Sequence, residues 1–369
     1  MIPIYKPYLS AYKKSALDAI ESEWISNHGI YVDLATQKLK EVLNMPHCIL
    51  MNNGTSATHC LFKALKFRHP DLKKIYIPNN VFVAPWNCAL MEYDASMIEV
   101  MRIDPKTMNI DMSREYLMSL DHGAAIVIVH NLGNIVNVPY IASLRPDLIF
   151  VEDNCEGLFG KYEGKYSGTF EGTLCSAVSF YGNKTITTGE GGAFFTHNIE
   201  LYKFMKTYFS HGMSAERYIH NVLGTNYRMT NIQAGFLYDQ LSDIHTILDL
   251  KRTVFENYKT LFKADVARGN IRLFSTGERT ENSNWMFCLS AKGIKYADLE
   301  KYLLEKQVQI RPLFYDIRSH AHLRDLPCHQ TDAIDISNAF MLPSYPELRY
   351  PEQEYIVNAI REYLALWPV

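Results

Sequence analysis

One amine stands alone in the segment FYGNKTITTGEGG, residues 180–192: Lys184, flanked by Asn183, Thr185, Thr187 and Thr188, with glycines at 182, 189, 191 and 192. An amine held partly out of water is a usable nucleophile and proton carrier. The glycines let backbone come close to whatever that amine serves. Two further stretches carry complementary groups. Asp153 closes the apolar run LIFVED, and Gly54-Thr55-Ser56 follows MNN at the start of a helix-period segment. A helix start presents unpaired backbone N–H groups and the positive end of its dipole, which suits an anion such as phosphate. Each feature also has an ordinary reading: Lys184 as a solvated charge, GEGG as a tight turn, Asp153 as a cap or surface carboxylate, Gly54-Thr55-Ser56 as a plain helix cap. The lysine segment is no Walker loop, because the earlier glycine of GxxxxGK[ST] is missing, and no GxGxxG follows a strand.

The combination selects a chemistry that the separate features do not. An amine for a Schiff base, a carboxylate for a pyridinium nitrogen and a cradle for a phosphate are the three requirements of pyridoxal 5′-phosphate. The carboxylate keeps the ring nitrogen protonated, which makes the ring an electron sink. Lys184 is then the Schiff-base lysine and Asp153 the pyridinium partner, with Gly54, Thr55 and Ser56 at the phosphate.

These loops must be brought to one place. In an open parallel sheet, ligands gather beyond the carboxyl ends of the strands. From Pro46 to Thr196 short β-rich runs alternate with helix-period segments, and KKIYIP, GAAIVIVH, DLIFVED and LCSAVSF are the clearest strands. Ala57, Leu61, Ala64 and Leu65 share one face between Thr55 and Lys66, so that stretch reads as a helix whose first turn is Gly54-Thr55-Ser56. Apolar residues recurring at three and four from Ile232 to Phe262 predict one or two long helices. Beyond Asn270, WMFCLSA, a helix YADLEKYLLEKQ, the stretch VQIRPLFY and a final helix PEQEYIVNAIREYLALW read as a smaller α+β unit. The expected class is α/β, with a large domain over residues 1–240 and a smaller C-terminal α+β domain over 241–369. No repeat, low-complexity tract or Pro/Gly linker separates the two, so their boundary is packed.

Composition narrows the partners. A chain of 369 residues, 47% hydrophobic and 21% charged, is an ordinary soluble globular protein long enough for two domains. The formal charge of −3, from 37 basic and 40 acidic residues without a long basic cluster, argues against nucleic acid. The start MIPIYKPYLSAYKK lacks the apolar centre of a signal peptide and no apolar stretch approaches bilayer length, so the expected location is cytoplasmic, with no membrane partner. Seven cysteines, an odd number without a CxxC pair, suit reduced buried thiols, and His47-Cys48 and His59-Cys60 have no second ligand pair at zinc spacing.

MNNGTSATHCLFKAL, VEDNCEGLFGKYEGKYSGTFEGT, SFYGNKTITTGEGGAFFTHN, TNYRMTNIQAGFLYDQL and IRPLFY together resemble, in order and spacing, the sugar-nucleotide aminotransferases of the DegT/StrS type, and especially their GDP-perosamine synthase branch. The likeness runs from IPIYKPYLS and SEWISNHGIYV to LPSYPE. It implies the aspartate-aminotransferase architecture (fold type I) and a homodimer with two active sites at the interface. It also implies Lys184 as the Schiff-base lysine, Asp153 at the pyridinium nitrogen, and Gly54, Thr55 and Ser179 at the phosphate, which Asn226 reaches from the other subunit. Asn183 adjoins the lysine in the same cofactor shell. Phe82, in NNVFVAPWN, falls where the family stacks an aromatic ring on the cofactor, although core packing is an alternative for it. Glu156 takes the last position of EDxxE, near the cofactor's phenolic oxygen. The implied reaction is ping-pong transfer of nitrogen from L-glutamate to a keto group, with Lys184 carrying the proton to and from the cofactor's C4′ carbon. A branch that removes a hydroxyl instead has histidine in place of this lysine, so Lys184 favours transamination.

The implied acceptor contacts are His130, Arg311, Tyr315, Arg318 and His320, and here the sequence departs from the family. HNLG (His130 to Gly133) replaces HLYG, Thr225 replaces a tyrosine, and Ile219 stands where perosamine-type enzymes often carry tryptophan. Asp316 and Arg318 occupy positions where proline and histidine usually follow Tyr315, with His320 and His322 nearby. A guanidinium favours a bidentate phosphate or carboxylate contact, so a smaller phosphorylated keto compound such as dihydroxyacetone phosphate is an alternative acceptor. A non-catalytic regulatory protein on this fold is the alternative of another class.

Overall fold

The computed structural model describes residues 1–274, 277 and 279–366; Trp367, the last residue of the expected final helix, lies outside the described residues. The chain-order strands of the first half are β1 (His47–Met51), β2 (Ile75–Pro78), β3 (Ile98–Met101), β4 (Ala125–Val129), β5 (Ile149–Asp153), the short hairpin β6 (Lys161–Tyr162) and β7 (Lys165–Tyr166), β8 (Thr173–Ser179) and β9 (Gly192–Thr196). Seven of them form one sheet in the order β1-β9-β8-β5-β4-β2-β3. Neighbours from β8 to β3 are parallel. Only β9 is reversed, antiparallel to β8 on one side and β1 on the other. The architecture is the mostly parallel mixed α/β sheet expected, and the four clearest sequence strands are β2, β4, β5 and β8.

These strands read as near-continuous apolar runs because both faces are covered. All five residues of β4 are buried. Ala125, Val127 and Val129 join a core with the helix Gly54–Arg68, whereas Ile126 and Ile128 join the opposite core with Tyr116, Leu117 and Ile141. The helix Gly54–Arg68 begins where it does because the Asn53 side chain accepts a hydrogen bond from the Ser56 amide at 2.8 Å, a cap worth about 1 kcal/mol. The expected helical stretch from Ile232 is two helices, Asn231–Ser242 and Ile244–Ala267.

A second sheet, all antiparallel, runs β10-β12-β14-β13 from β10 (Ile271–Leu273), β12 (Phe287–Ala291), β13 (Arg311–Pro312) and β14 (Ala339–Leu342). The helices Ile244–Ala267, Tyr296–Glu305 and Tyr350–Leu366 cover it through a core built on Tyr258, Phe262, Phe287, Leu303, Phe340 and Ile360. The helix Ile244–Ala267 serves both units, since Ile244 and Ile247 belong to a core of the first sheet. β11 (Thr280–Glu281) also crosses over, pairing with β6 at the edge of the β6-β7 hairpin.

Candidate active site

Because β1 runs in the same sense as β8, the carboxyl ends of β1, β2, β4, β5 and β8 share one edge, and the β8–β9 connection that carries Lys184 turns there as well. At that edge the helix Gly54–Arg68 and the end of β8 touch. A Cβ on Gly54 would stand 2.6 Å from the Ser179 Cβ and 2.7 Å from its Oγ, so only glycine permits the approach. The result is a concave group of first-turn amides and the Thr55, Ser56 and Ser179 hydroxyls at the positive end of a helix, a fit for a phosphate.

Asp153, the last residue of β5, is 5% exposed. Its Oδ2 accepts from the Thr58 hydroxyl at 3.3 Å and its Oδ1 from the Cys155 amide at 3.1 Å, so the carboxylate is held in one orientation. Lys184 sits on a connection fixed by its own hydrogen bonds: the Lys184 amide donates to Tyr181 O at 2.9 Å and the Thr188 amide to Phe180 O at 2.9 Å. Gln240 grips Thr187 from both sides, accepting from its amide at 2.9 Å and donating to its carbonyl at 2.7 Å.

Asp153 and Lys184 act electrostatically on the same two groups, buried Glu156 and half-buried Cys155. Burial pushes the Glu156 carboxyl up to about 7; the Lys184 charge and the Leu132 amide, which donates to Oε2 at 2.9 Å, pull it down, and Asp153 pushes it up. The Cys155 thiol is raised well above its usual range by burial and then by Asp153, with Lys184 opposing. The charges of the amine and the carboxylate therefore reach one pair of neighbouring groups. Buried side-chain oxygens of Asn52, Asn80, Asn131 and Asn183 lack hydrogen-bond partners, and all four lie just past the ends of β1, β2, β4 and β8. A polar rim with unmet hydrogen-bonding capacity, a helix start suited to phosphate, and an amine and a carboxylate at the same sheet edge fit pyridoxal phosphate.

The remaining expected residues divide. Phe82 is 54% exposed on the loop after β2, its ring edge-on to Phe314 at 5.9 Å, so it is not a core residue. Asn226 is exposed, on the segment that leads into the helix Asn231–Ser242. The Arg311 guanidinium lies over the Tyr5 ring at 5.1 Å, Tyr315 is half exposed and His320 partly so.

Two of the expected acceptor contacts make internal bonds. His130 is fully buried: its Nδ1 accepts from the Val136 amide at 3.1 Å and its Nε2 donates to Glu152 at 2.8 Å, so both ring nitrogens are committed inside the sheet layer. Arg318 spends its fork on Asp316, with Nε to Oδ1 and Nη2 to Oδ2 both at 2.8 Å, and a further bond to Thr331 O. The sequence departure at Asp316 explains the one at Arg318: the pair is internal, and Asn79 Nδ2 adds a third bond to Asp316 at 2.8 Å.

Trp285 escaped the sequence reading. It precedes β12, which starts at Phe287, and its indole faces Lys184, with Nζ 4.4 Å from the ring centroid. Lys251 was equally silent, being one more lysine on an amphipathic helix.

Comparison with known proteins agrees with this geometry. Residues 10–361 match the DegT/DnrJ/EryC1/StrS aminotransferase family. The chain is 29% identical to the GDP-perosamine synthase of Escherichia coli O157:H7, over 98% of both chains, and 28% identical to that of Vibrio cholerae, over 98% of this chain and 99% of the relative. Its fold superposes on an E. coli GDP-4-keto-6-deoxy-D-mannose-3-dehydratase with bound hydrated PLP at a TM-score of 0.86 and 20% identity, covering 97% of this chain and 99% of that one. The chain belongs to the DegT/DnrJ/EryC1/StrS aminotransferase family and is a pyridoxal-phosphate-dependent transaminase.

Proposed function

We propose that this transaminase moves nitrogen from L-glutamate to the keto group of a nucleotide-linked keto-deoxysugar of the 4-keto-6-deoxyhexose type, in surface polysaccharide synthesis. The observation that carries the reading is the end-to-end similarity, over 98% of each chain, to a GDP-perosamine synthase. Pyridoxal phosphate supplies the nitrogen carrier and the electron sink. In this reading Lys184 holds the cofactor and moves a proton at Nζ. Asp153, oriented by Thr58 and Cys155, faces the ring nitrogen, and Glu156 stands near the phenolic oxygen with Asn183 beside the lysine. Gly54, Thr55, Ser56 and Ser179 bind phosphate, and Phe82 stacks on the ring. Arg311, Tyr315 and His320 are the acceptor side.

The same reading makes the protein a cytoplasmic homodimer, divided at 240/241, in which the partner subunit's Asn226 completes the phosphate site. Support for an assembly is the apolar surface near this segment: Trp24 is 64% exposed, Ile30 65%, Tyr218 70% and Leu223 89%. Among the described residues no helix is long and apolar enough to cross a membrane.

The test is incubation with L-glutamate and a panel of GDP- and dTDP-4-keto-6-deoxyhexoses and dihydroxyacetone phosphate, with mass detection of aminated product. Amination of a nucleotide sugar is expected. Amination of the triose phosphate alone would overturn the acceptor assignment. A Lys184→Ala variant with undiminished biological function would favour the regulatory reading.

A further inference from the structure

We propose that Trp285 is the positioning residue for Lys184, an indole platform from the second sheet's unit that holds the free ammonium in place whenever that amine is not bonded to the cofactor. The proposal rests on the reading of Lys184 as the cofactor-holding lysine.

Four contacts fix Trp285, three of them on the indole. Its face lies 4.4 Å from Lys184 Nζ. Its Nε1–H donates to the carbonyl of Asn183, the residue before the lysine, at 3.2 Å. Its own carbonyl accepts from Lys251 Nζ at 2.7 Å, and Lys251 also donates to Ser344 O. Its ring stacks on Phe314, centroids 6.3 Å apart and planes within 11°. Trp285 is 4% exposed, so the indole has no room to swing away.

The chemistry of the site requires a device of this kind. A lysine that both bonds to a cofactor and moves protons spends part of each cycle free, as a long side chain with four rotatable bonds and a strong preference for water. An ammonium over a dehydrated indole face is held by the ring quadrupole, without the tight ion pair that would keep it from leaving. The Nε1–H bond to Asn183 O sets ring and lysine backbone at a fixed distance, so the amine returns to the same point.

The test uses the cofactor-stripped protein and an amine acylating reagent at limiting dose, with labelling at Lys184 read by peptide mass relative to exposed Lys106. Site-specific replacement of Trp285 by mono-, di- and tetrafluorotryptophan keeps the ring's shape while draining its quadrupole. Labelling is expected to rise stepwise along the series, by roughly tenfold at the end, the equivalent of a contact of about 1.4 kcal/mol. In the holoenzyme, Trp285→Leu should lower kcat for the L-glutamate half-reaction about tenfold with KM within about twofold, and Trp285→Phe should recover most of it. Flat labelling across the fluorinated series would overturn the proposal, even if Trp285→Leu fails to fold. Since labelling needs neither substrate nor cofactor, it stands or falls separately from the acceptor panel.

Discussion

Gly54 and Ser179 meet so closely that a methyl group on residue 54 would lie 2.6 Å from the serine Cβ. The helix start and the end of β8 are thereby locked together around the phosphate cradle. Gly54→Ala should force them apart at a cost of about 1–3 kcal/mol and loosen pyridoxal phosphate by tenfold or more, as measured by the cofactor absorbance remaining after dialysis. Adding Ser179→Gly removes the obstructing atoms, and the double variant should regain thermal stability without regaining full cofactor retention.

Glu156 gives the stripped protein a pH signature. Burial keeps this carboxyl protonated up to about pH 7 when folded, against 4.5 for the ordinary group. The native state therefore binds more protons than the unfolded state across that window, and this contribution, fully present below 4.5, is lost as pH rises toward 7. Denaturant titrations should show Glu156→Gln gaining on the wild type by up to about 1.4 kcal/mol per pH unit within the window.

Lys251 works in the opposite direction. Burial lowers its ammonium from 10.5 to about 7, so the folded protein carries fewer protons than the unfolded chain between those values and its stability rises with pH there. Compared with Lys251→Met, the wild type should gain up to about 1.4 kcal/mol per pH unit from pH 7 upward. A difference that stays constant with pH would show that this ammonium is not isolated from water.

Arg318→Ala should leave the KM of the acceptor within about threefold, because the guanidinium is paired with Asp316 and not free for a ligand. Asp316→Ala should be the more damaging change, by about 1–3 kcal/mol in unfolding free energy, since it leaves Asn79 and Arg318 without their acceptor.

Ile30→Glu and Trp24→Glu place charge on an exposed apolar surface of one subunit. Sedimentation equilibrium should show association of the proposed homodimer weakened by about tenfold or more, with loss of bound cofactor on dilution.

Much of this was legible from the residues. β4 declared itself as an unbroken apolar run because both sheet faces are covered, and Gly54 and Lys184 follow, and Asp153 ends, strands whose carboxyl ends share one edge. The limits have equally physical causes. His130 and Arg318 were expected at the acceptor because their side-chain types suit a ligand, yet a polar side chain is equally suited to another polar side chain, and Glu152 and Asp316 were closer at hand. Asp316, two residues before Arg318, was the visible warning. Trp285 meets Asn183 across a separation of 102 positions, and the neighbouring Lys184 with it, in a pairing set by how the second sheet docks, and no local periodicity encodes that.

The helix Asn231–Ser242 is gripped at both ends. At its start, Asn231 donates to Trp24 O at 2.7 Å and accepts from the Tyr31 amide at 2.9 Å, within the exposed apolar surface; near its end, Gln240 clasps the peptide unit of Thr187. The helix is therefore a rod tied at its start to residues 24–31 and near its end to the connection that carries Lys184. Pressure applied to residues 24–31 by a docking neighbour would be delivered to the lysine loop without passing through the sheet.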